Sequence, residues 1–289
     1  MSGSIIDDRI ALMVIICAYG REDLTLQALA DLGQSRIGHM VCIVDNHGSF
    51  VAPVGDKVRV IRPSTNVGWA RGSNLGLDTM ISQTDAQLFV LLNNDVRLSH
   101  GFVDGLYEAW EHTNGAVIGP AYDHNWPHQR ISYTGHPFRY RPRAIERTVP
   151  FIDGTCMLIS RKTIEAIGFL DEAHWPRWGW GCDKDFCLRA RSAGGCVFVT
   201  ERSYLSHSAR GTAALMTDFS EAKAEAENDA GMTVKWGATW RDRLYEGFDH
   251  HSRVGLVQEK LREDSTSNPE PGSQNYPCDG SNGDLPNLA

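Results

Sequence analysis

Two kinds of hydrophobic pattern alternate along this chain. The opening run "RIALMVIICAYG" is apolar at almost every position and rich in β-branched residues. It predicts a buried strand ending at Tyr19-Gly20. In "REDLTLQALADLG" the apolar residues recur at helical spacing until Gly33 stops them, which predicts a helix. The exchange then repeats. "MVCIVDN" and the short "VRVIRP" read as strands, "GWARGSNLGLDTMI" as a helix opened by glycines, and "QLFVLLNND" as a strand. "SHGFVDGLYEAWEHT" follows as a helix and "GAVIGP" as a strand. Strands alternating with helices predict an α/β fold with a mostly parallel sheet.

The rhythm breaks over residues 121–150, which are rich in His, Arg, Tyr and Pro. This stretch predicts loops or a hairpin laid across the site. Beyond it, "GTCMLIS" reads as a strand, "RKTIEAIG" as a short helix, "DKDFCLRARSAGG" as a helix closed by Gly194-Gly195, and "CVFVT" as a strand. "SEAKAEAENDAGMTVKWG" reads as an amphipathic helix. Residues 265–289 hold mainly Ser, Asn, Pro and Gly, which predicts a disordered tail.

Composition narrows the class. A chain of 289 residues, 42% of them hydrophobic, can bury a sizeable core without extra staples. A formal net charge of −8 argues against a general nucleic-acid binder. The seven cysteines are odd in number, lie partly in apolar runs and lack zinc-site spacing. They read as reduced, mostly buried thiols. No stretch approaches the roughly 18 apolar residues that span a membrane. The N-terminus carries acids and no apolar signal core, so the expected location is cytoplasmic.

In a parallel sheet, ligands bind beyond the carboxyl ends of the strands. Tyr19, Asp45, Asn66 and Asp95 follow strand ends and are expected to converge. "LLNND" delivers Asn93, Asn94 and Asp95, two amides and a carboxylate that can hold Mg²⁺ or Mn²⁺ and through it a diphosphate. The same residue types also suit a plain strand-to-turn junction. "NVGWARGSNLGL" opens a helix whose free N–H groups favour an anion, or it is an ordinary loop-to-helix junction. In "WGWGCDKDF", Trp178 and Trp180 offer flat faces for a sugar ring, and Gly179 and Gly181 permit sharp turns. Asp183 suits a helix N-cap, with Asp185 in the first turn. A cap and a catalytic base are compatible roles. His207 in "SHSARGT" can ligate a metal, and Arg210 beside it can meet a phosphate.

Taken in order, "AYGRED", "VDN", "NVGWARGSNLGL", "LLNND", "GTCMLISRKTIEAIGFLDE", "GWGCDKDFCLRA" and "SHSARGT" resemble the inverting family 2 glycosyltransferases with a GT-A fold. The resemblance runs from about Ile10 to about Trp240. It implies a Rossmann-like nucleotide-binding sheet flanked by helices, with an acceptor-side subregion. One domain would span 1–264, with a nucleotide-sugar half at about 10–120, an acceptor and catalytic half at about 121–240, and C-terminal helices to about 264.

The resemblance also implies roles. Ala18, Tyr19 and Asp45 would frame the nucleotide base, with Arg21 close by. Asn66 and Arg71 would lie along the nucleotide and diphosphate. "NND" stands where the family has its Asp-X-Asp motif, so Asp95 would be the main ligand of Mn²⁺ or Mg²⁺ and Asn93 would face the ribose or the metal. Asn94 completes that donor-side set, and His207 would be a further metal ligand. Asp183 matches the family's base, Asp185 its second acid, and Cys182 replaces its usual Glu. "WGWG" is similar to a segment of β-1,4-galactosyltransferases that shapes the sugar pocket, which puts Trp178, Trp180 and Gly181 on the acceptor side. The implied partners are a nucleoside-diphosphate sugar, in the hexose or N-acetylhexosamine class, and a hydroxyl-bearing natural product, small molecule or glycan. Two rival readings are weaker. A nucleotidyltransferase acting on a sugar phosphate would carry a glycine-rich basic loop where this chain has "AYGREDL". An inactive carbohydrate- or nucleotide-binding module would have lost its acids, and Asp95, Asp183 and Asp185 are all present.

Overall fold

Strand β1 (Leu12–Ala18) is apolar throughout because each face of the sheet meets a separate core. Leu12, Val14 and Ile16 face one core, completed by helices α1 (Glu22–Leu32) and α3 (Phe102–Thr113). Met13 and Ile15 face the other, completed by α2 (Trp69–Gln83) and α5 (Cys182–Ser192). The period-2 alternation of a strand thus consumes apolar residues at every position. The computed structural model describes residues 12–55, 57–123, 128–207, 211 and 215–248. The tail expected at 265–289 lies outside them.

Parallel to β1 run β2 (His39–Asp45) on one side and β4 (Leu88–Asn93) on the other, with β3 (Val58–Ile61) parallel beyond β2. Past β4 the sheet continues through β8 (Cys156–Ser160), β6 (Val117–Tyr122) and β9 (Val197–His207). Only β8 of these is reversed, so β6 and β9 run parallel. Two short strands, β5 (Val96–Leu98) and β7 (Glu146–Thr148), pair antiparallel with β9. The mostly parallel, helix-flanked α/β architecture is as the alternating pattern predicts. Helices α4 (Arg161–Ile167), α6 (Glu221–Trp236) and α7 (Trp240–Leu244) and a short 3-10 turn at Pro137–Arg139 complete the described elements.

The structure departs from the sequence reading in three places. β9 runs on for 11 residues, well past "CVFVT". Its later part, "ERSYLSH", is polar enough to read as a loop, but its groups are paired: Glu201 with Arg143, Ser203 with the Phe102 carbonyl. Among the described residues of the 121–150 stretch, which is expected to lie across the site, none lines the main cavity. Tyr133 and Tyr140 pack instead on Tyr204, and the Tyr140 hydroxyl donates to the Glu201 carbonyl at 2.8 Å. Cys17, Cys42, Cys156, Cys182 and Cys187 are free thiols. Cys196 is disulfide-bonded, so the reading of all seven as reduced does not hold.

The glycines of α2 have a packing role. A Cβ on Gly72 would sit 2.5 Å from Cys17 Sγ, and one on Gly76 2.5 Å from Ile15 Cγ2. This pair lets the helix lie close on β1 and β2. Beside them, Asn74 is buried and exchanges two hydrogen bonds with the backbone of Leu170, at 2.8 and 3.1 Å. Gly76→Ala is expected to lower the urea midpoint. Overpacking costs about 1–3 kcal/mol, against a helix-propensity gain of at most about 1 kcal/mol. An unchanged or higher midpoint would show that the contact relaxes freely.

Candidate active site

At the carboxyl ends of β1 and β4 lies a cavity of about 580 Å³. Of the residues singled out in the sequence, Ala18, Tyr19, Asn66, Asn93, Asn94, Asp95, Trp178, Trp180, Gly181, Asp183 and His207 line it. The convergence follows from topology, since these side chains come from strand ends and from the turn before α5. Arg21, Asp45, Arg71 and Asp185 do not line it.

Asp95 and His207 are 112 residues apart, yet His207 Nε2 stands 3.1 Å from Asp95 Oδ1. The short β5 strand brings them together, because its antiparallel register sets Val96 opposite His207. The second Asp95 oxygen accepts the Gly211 N–H at 3.0 Å. Burial alone would lower the His207 pKa, but the hydrogen bond and charge of Asp95, with Asp153 and Asp123 behind it, outweigh burial and raise it. A carboxylate and an imidazole suit Mn²⁺ or Mg²⁺ when diphosphate and water fill the other positions. Among the described residues no three His, Cys, Asp or Glu side chains are grouped to hold an ion by themselves. The donor set therefore fits an ion shared with a phosphate-bearing ligand.

The two asparagines before Asp95 have structural partners. Asn93 Oδ1 accepts from the Trp69 indole at 3.0 Å. Asn94 is buried and donates to Thr25 Oγ1 at 3.0 Å, tying the end of β4 to α1.

Asp183 lines the same cavity. Helix α5 begins at Cys182, and its N-cap is Gly181 at φ 106°, so Asp183 is not the cap but the second helical residue. Its Oδ1 accepts the Lys184 N–H at 2.8 Å, and its Oδ2 accepts the Gly154 N–H at 3.1 Å. Burial pushes its carboxyl above the usual range and the charge of Asp153 adds to this; Lys184 and the two backbone bonds oppose. Gly181 is tightly held, for a Cβ there would lie 2.4 Å from Asn228 Oδ1 and 2.7 Å from Trp175 Nε1. With φ positive as well, only glycine fits.

Cys182 and Asp185 face the interior. The Cys182 thiol is fully buried and donates to the Gly179 carbonyl at 2.8 Å, and burial holds its pKa well above the usual value. Asp185 is fully buried behind α5. It meets Arg189 Nε at 2.8 Å, Lys235 Nζ at 2.9 Å and the Trp236 indole N–H at 2.9 Å. Asp185 thus ties α5 to α6 and does not reach the cavity.

The tryptophan wall is organised by α6. Glu227 accepts the backbone N–H groups of Arg177 and Trp178, each at 2.8 Å. Phe219 meets the edges of Trp178 and Trp180 at centroid distances of 5.2 and 6.1 Å.

Three donor-side candidates have other work. Asp45 accepts from His47, Gly48 and Phe50 N–H groups at 3.2, 2.9 and 2.8 Å, so it organises the loop after β2. Arg21 is exposed and paired with Asp23 at 2.9 Å. Arg71 pairs with Glu172 at 3.5 Å and lines a smaller neighbouring pocket. The cavity also has walls that residue-type reasoning passed over: Trp69 and the segment Asp153–Thr155. The signal for the second was an Asp-Gly pair at the start of "DGTCMLIS", a turn signature ahead of a strand in the middle of the sheet.

The family model described as "Glycosyl transferase family 2" matches residues 13–168. Uncharacterised proteins of Mycobacterium tuberculosis and Mycobacterium bovis are 35% identical over 204 residues, covering 71% of this chain and 76% of theirs. The low-salt glycan biosynthesis hexosyltransferase Agl10 of Haloferax volcanii is 24% identical over 155 residues, 47% of each chain. The solved structure of GalNAc-T7 with UDP, GalNAc and Mn²⁺ superposes with a TM-score of 0.57 at 14% identity. That match covers 89% of this chain and 55% of the other, and it speaks for a shared fold.

Proposed function

The chain belongs to glycosyl transferase family 2 and has the GT-A fold, and from that premise we propose an inverting, metal-dependent transfer of a hexosyl or N-acetylhexosaminyl group. The donor is a nucleoside-diphosphate sugar and the acceptor a hydroxyl-bearing natural product, small molecule or glycan. The observation that carries this reading is the arrangement of one cavity. A buried carboxylate, Asp183, and the Asp95–His207 pair line the same cavity. Inversion by single displacement needs a base at the attacking hydroxyl and positive charge at the departing diphosphate. GalNAc-T7, with the same fold, was solved with UDP, GalNAc and Mn²⁺, a ligand set of this type.

In this reading Asp183 takes the acceptor proton. Its two backbone bonds fix the carboxylate, and its raised pKa makes it a stronger base than an exposed aspartate. Asp95 and His207 hold a divalent ion, which when bound neutralises the leaving diphosphate. Ala18, Tyr19 and Asn66 border the nucleotide, while Asn93 and Asn94 hold the floor through Trp69 and Thr25. Trp178, Trp180 and Gly181 form the sugar-facing wall. Arg71 stays an outer contact at most, and Asp45 and Arg21 shape the loops around the base pocket.

Excess chelator is expected to abolish release of nucleoside diphosphate from a panel of sugar nucleotides, with Mn²⁺ or Mg²⁺ restoring it. Full turnover in chelator would refute the role given to Asp95 and His207. Release of pyrophosphate instead would make the protein a nucleotidyltransferase.

A further inference from the structure

Asp153 is a further carboxylate lining the cavity, and the transfer chemistry leaves it without a task. Its surroundings fix it from three directions. Its Oδ1 accepts from the Tyr122 hydroxyl at 3.0 Å and the Thr155 N–H at 3.0 Å. Its own N–H donates to Gln129 Oε1 at 2.7 Å. Tyr122 and Gln129 are both buried, so the carboxylate is mounted on the interior. The remaining oxygen, Oδ2, meets no donor among the described residues, and Asp153 lines the cavity. A carboxylate oxygen with no protein donor, on a residue that lines the cavity, is available to accept a hydrogen bond from a ligand.

Position says which part of the ligand this is. The residue after it, Gly154, donates its N–H to Asp183 Oδ2 at 3.1 Å, so Asp153 stands beside the proposed base. Asp95 and His207 line the same cavity as Asp153. In a single displacement, the anomeric carbon lies between the attacking oxygen and the departing phosphate. A carboxylate beside the base, in the cavity that the metal pair also lines, therefore borders the sugar ring. A bare carboxylate would repel the diphosphate, whereas sugar hydroxyls are the donors available there.

Resting on the function proposed above, we propose that Asp153 Oδ2 accepts a hydrogen bond from a hydroxyl of the transferred sugar, making Asp153 a residue that determines donor-sugar specificity. The isosteric change Asp153→Asn tests it sharply. The Tyr122 hydroxyl and Thr155 N–H hold the amide oxygen where Oδ1 was, so the amide NH₂ faces the cavity and an acceptor becomes a donor.

The probes are UDP-galactose, UDP-N-acetylgalactosamine, GDP-mannose and dTDP-rhamnose, each titrated with Mn²⁺ against its own bare nucleoside diphosphate. In the wild type at least one sugar nucleotide should differ from its bare diphosphate in affinity or be hydrolysed. Asp153→Asn is expected to keep the bare-diphosphate affinity and weaken the sugar nucleotide about tenfold or more. Equal weakening of both, or of neither, would overturn the assignment. A second measurement needs no variant: with deoxyfluoro versions of the bound donor, loss of one particular hydroxyl should cost the wild type about tenfold. Indifference at every position would overturn the assignment even if Asp153→Asn failed to fold. If the wild type binds bare diphosphates but none of the four sugars alters binding or turns over, Asp153 reads none of these sugars and the assignment falls. If it binds no diphosphate at all, the donor-site reading falls first.

Discussion

Asp183→Asn is expected to lower the transfer rate about 10²–10⁴-fold, the usual contribution of a positioned base, and to leave nucleoside-diphosphate affinity unchanged. The amide cannot take a proton but can still accept one of the two backbone N–H bonds, from Lys184 or Gly154. The stability of the variant relative to the wild type should rise with pH. The sign follows from linkage: burial raises the folded-state pKa of Asp183, so its contribution is fully present below the unfolded carboxyl pKa and is lost as pH rises through the folded one. At pH 7 the ionised group therefore weighs against folding, and the neutral amide removes that weight. This contribution should vanish in acid. The same shift makes the wild-type rate climb with pH along a limb whose midpoint lies above the ordinary carboxyl value of 3.8. Single-turnover rates, a thermal melt and a pH profile on the two proteins check all three points. Near-normal turnover in the variant would move the base elsewhere. Asp153 would then be next, because Asp185 does not reach the cavity.

The elements were readable where a physical rule acts locally. β1, and β4 up to Leu92, are apolar at every position because both faces of the sheet are covered, and Gly33 and Gly168 close their helices as expected. The strand-end rule likewise brought Tyr19, Asn66 and Asp95 to one cavity, though not Asp45. The failures lie where the partner is distant in sequence. Asp45 and Arg21 sit at the right strand ends, but their hydrogen bonds go to their own loops. The α2 glycines imitate an anion-binding turn, and only the approach of Cys17 and Ile15 shows why glycine is needed. Cys182 made no sense beside two acids until the structure placed its side chain in the core rather than the cavity. Asp153 was passed over because its partners, Tyr122 and Gln129, come from another part of the chain.

Asp185→Ala should show the opposite signature: a protein that melts early yet transfers sugar once folded. Asp185 is fully buried, and the side chains of Arg189 and Lys235 that meet it are only 17% and 23% exposed. Removing the carboxylate leaves these cations and the Trp236 N–H facing an empty space. Breaking such a buried pair costs about 3–5 kcal/mol, since the surviving charges keep their desolvation penalty. For a domain of this size that corresponds to a fall in Tm of roughly 6–20 °C. Lys235 keeps Asp171 at 2.7 Å, which places the expected loss toward the lower end. Turnover per folded molecule, measured well below the melting range, should change little. The two acids of "CDKD" are two positions apart, so on a helix they point roughly 200° away from each other. That geometry sends Asp183 to the cavity and Asp185 to α6. A stable but inactive Asp185→Ala would contradict this division and return Asp185 to the chemistry.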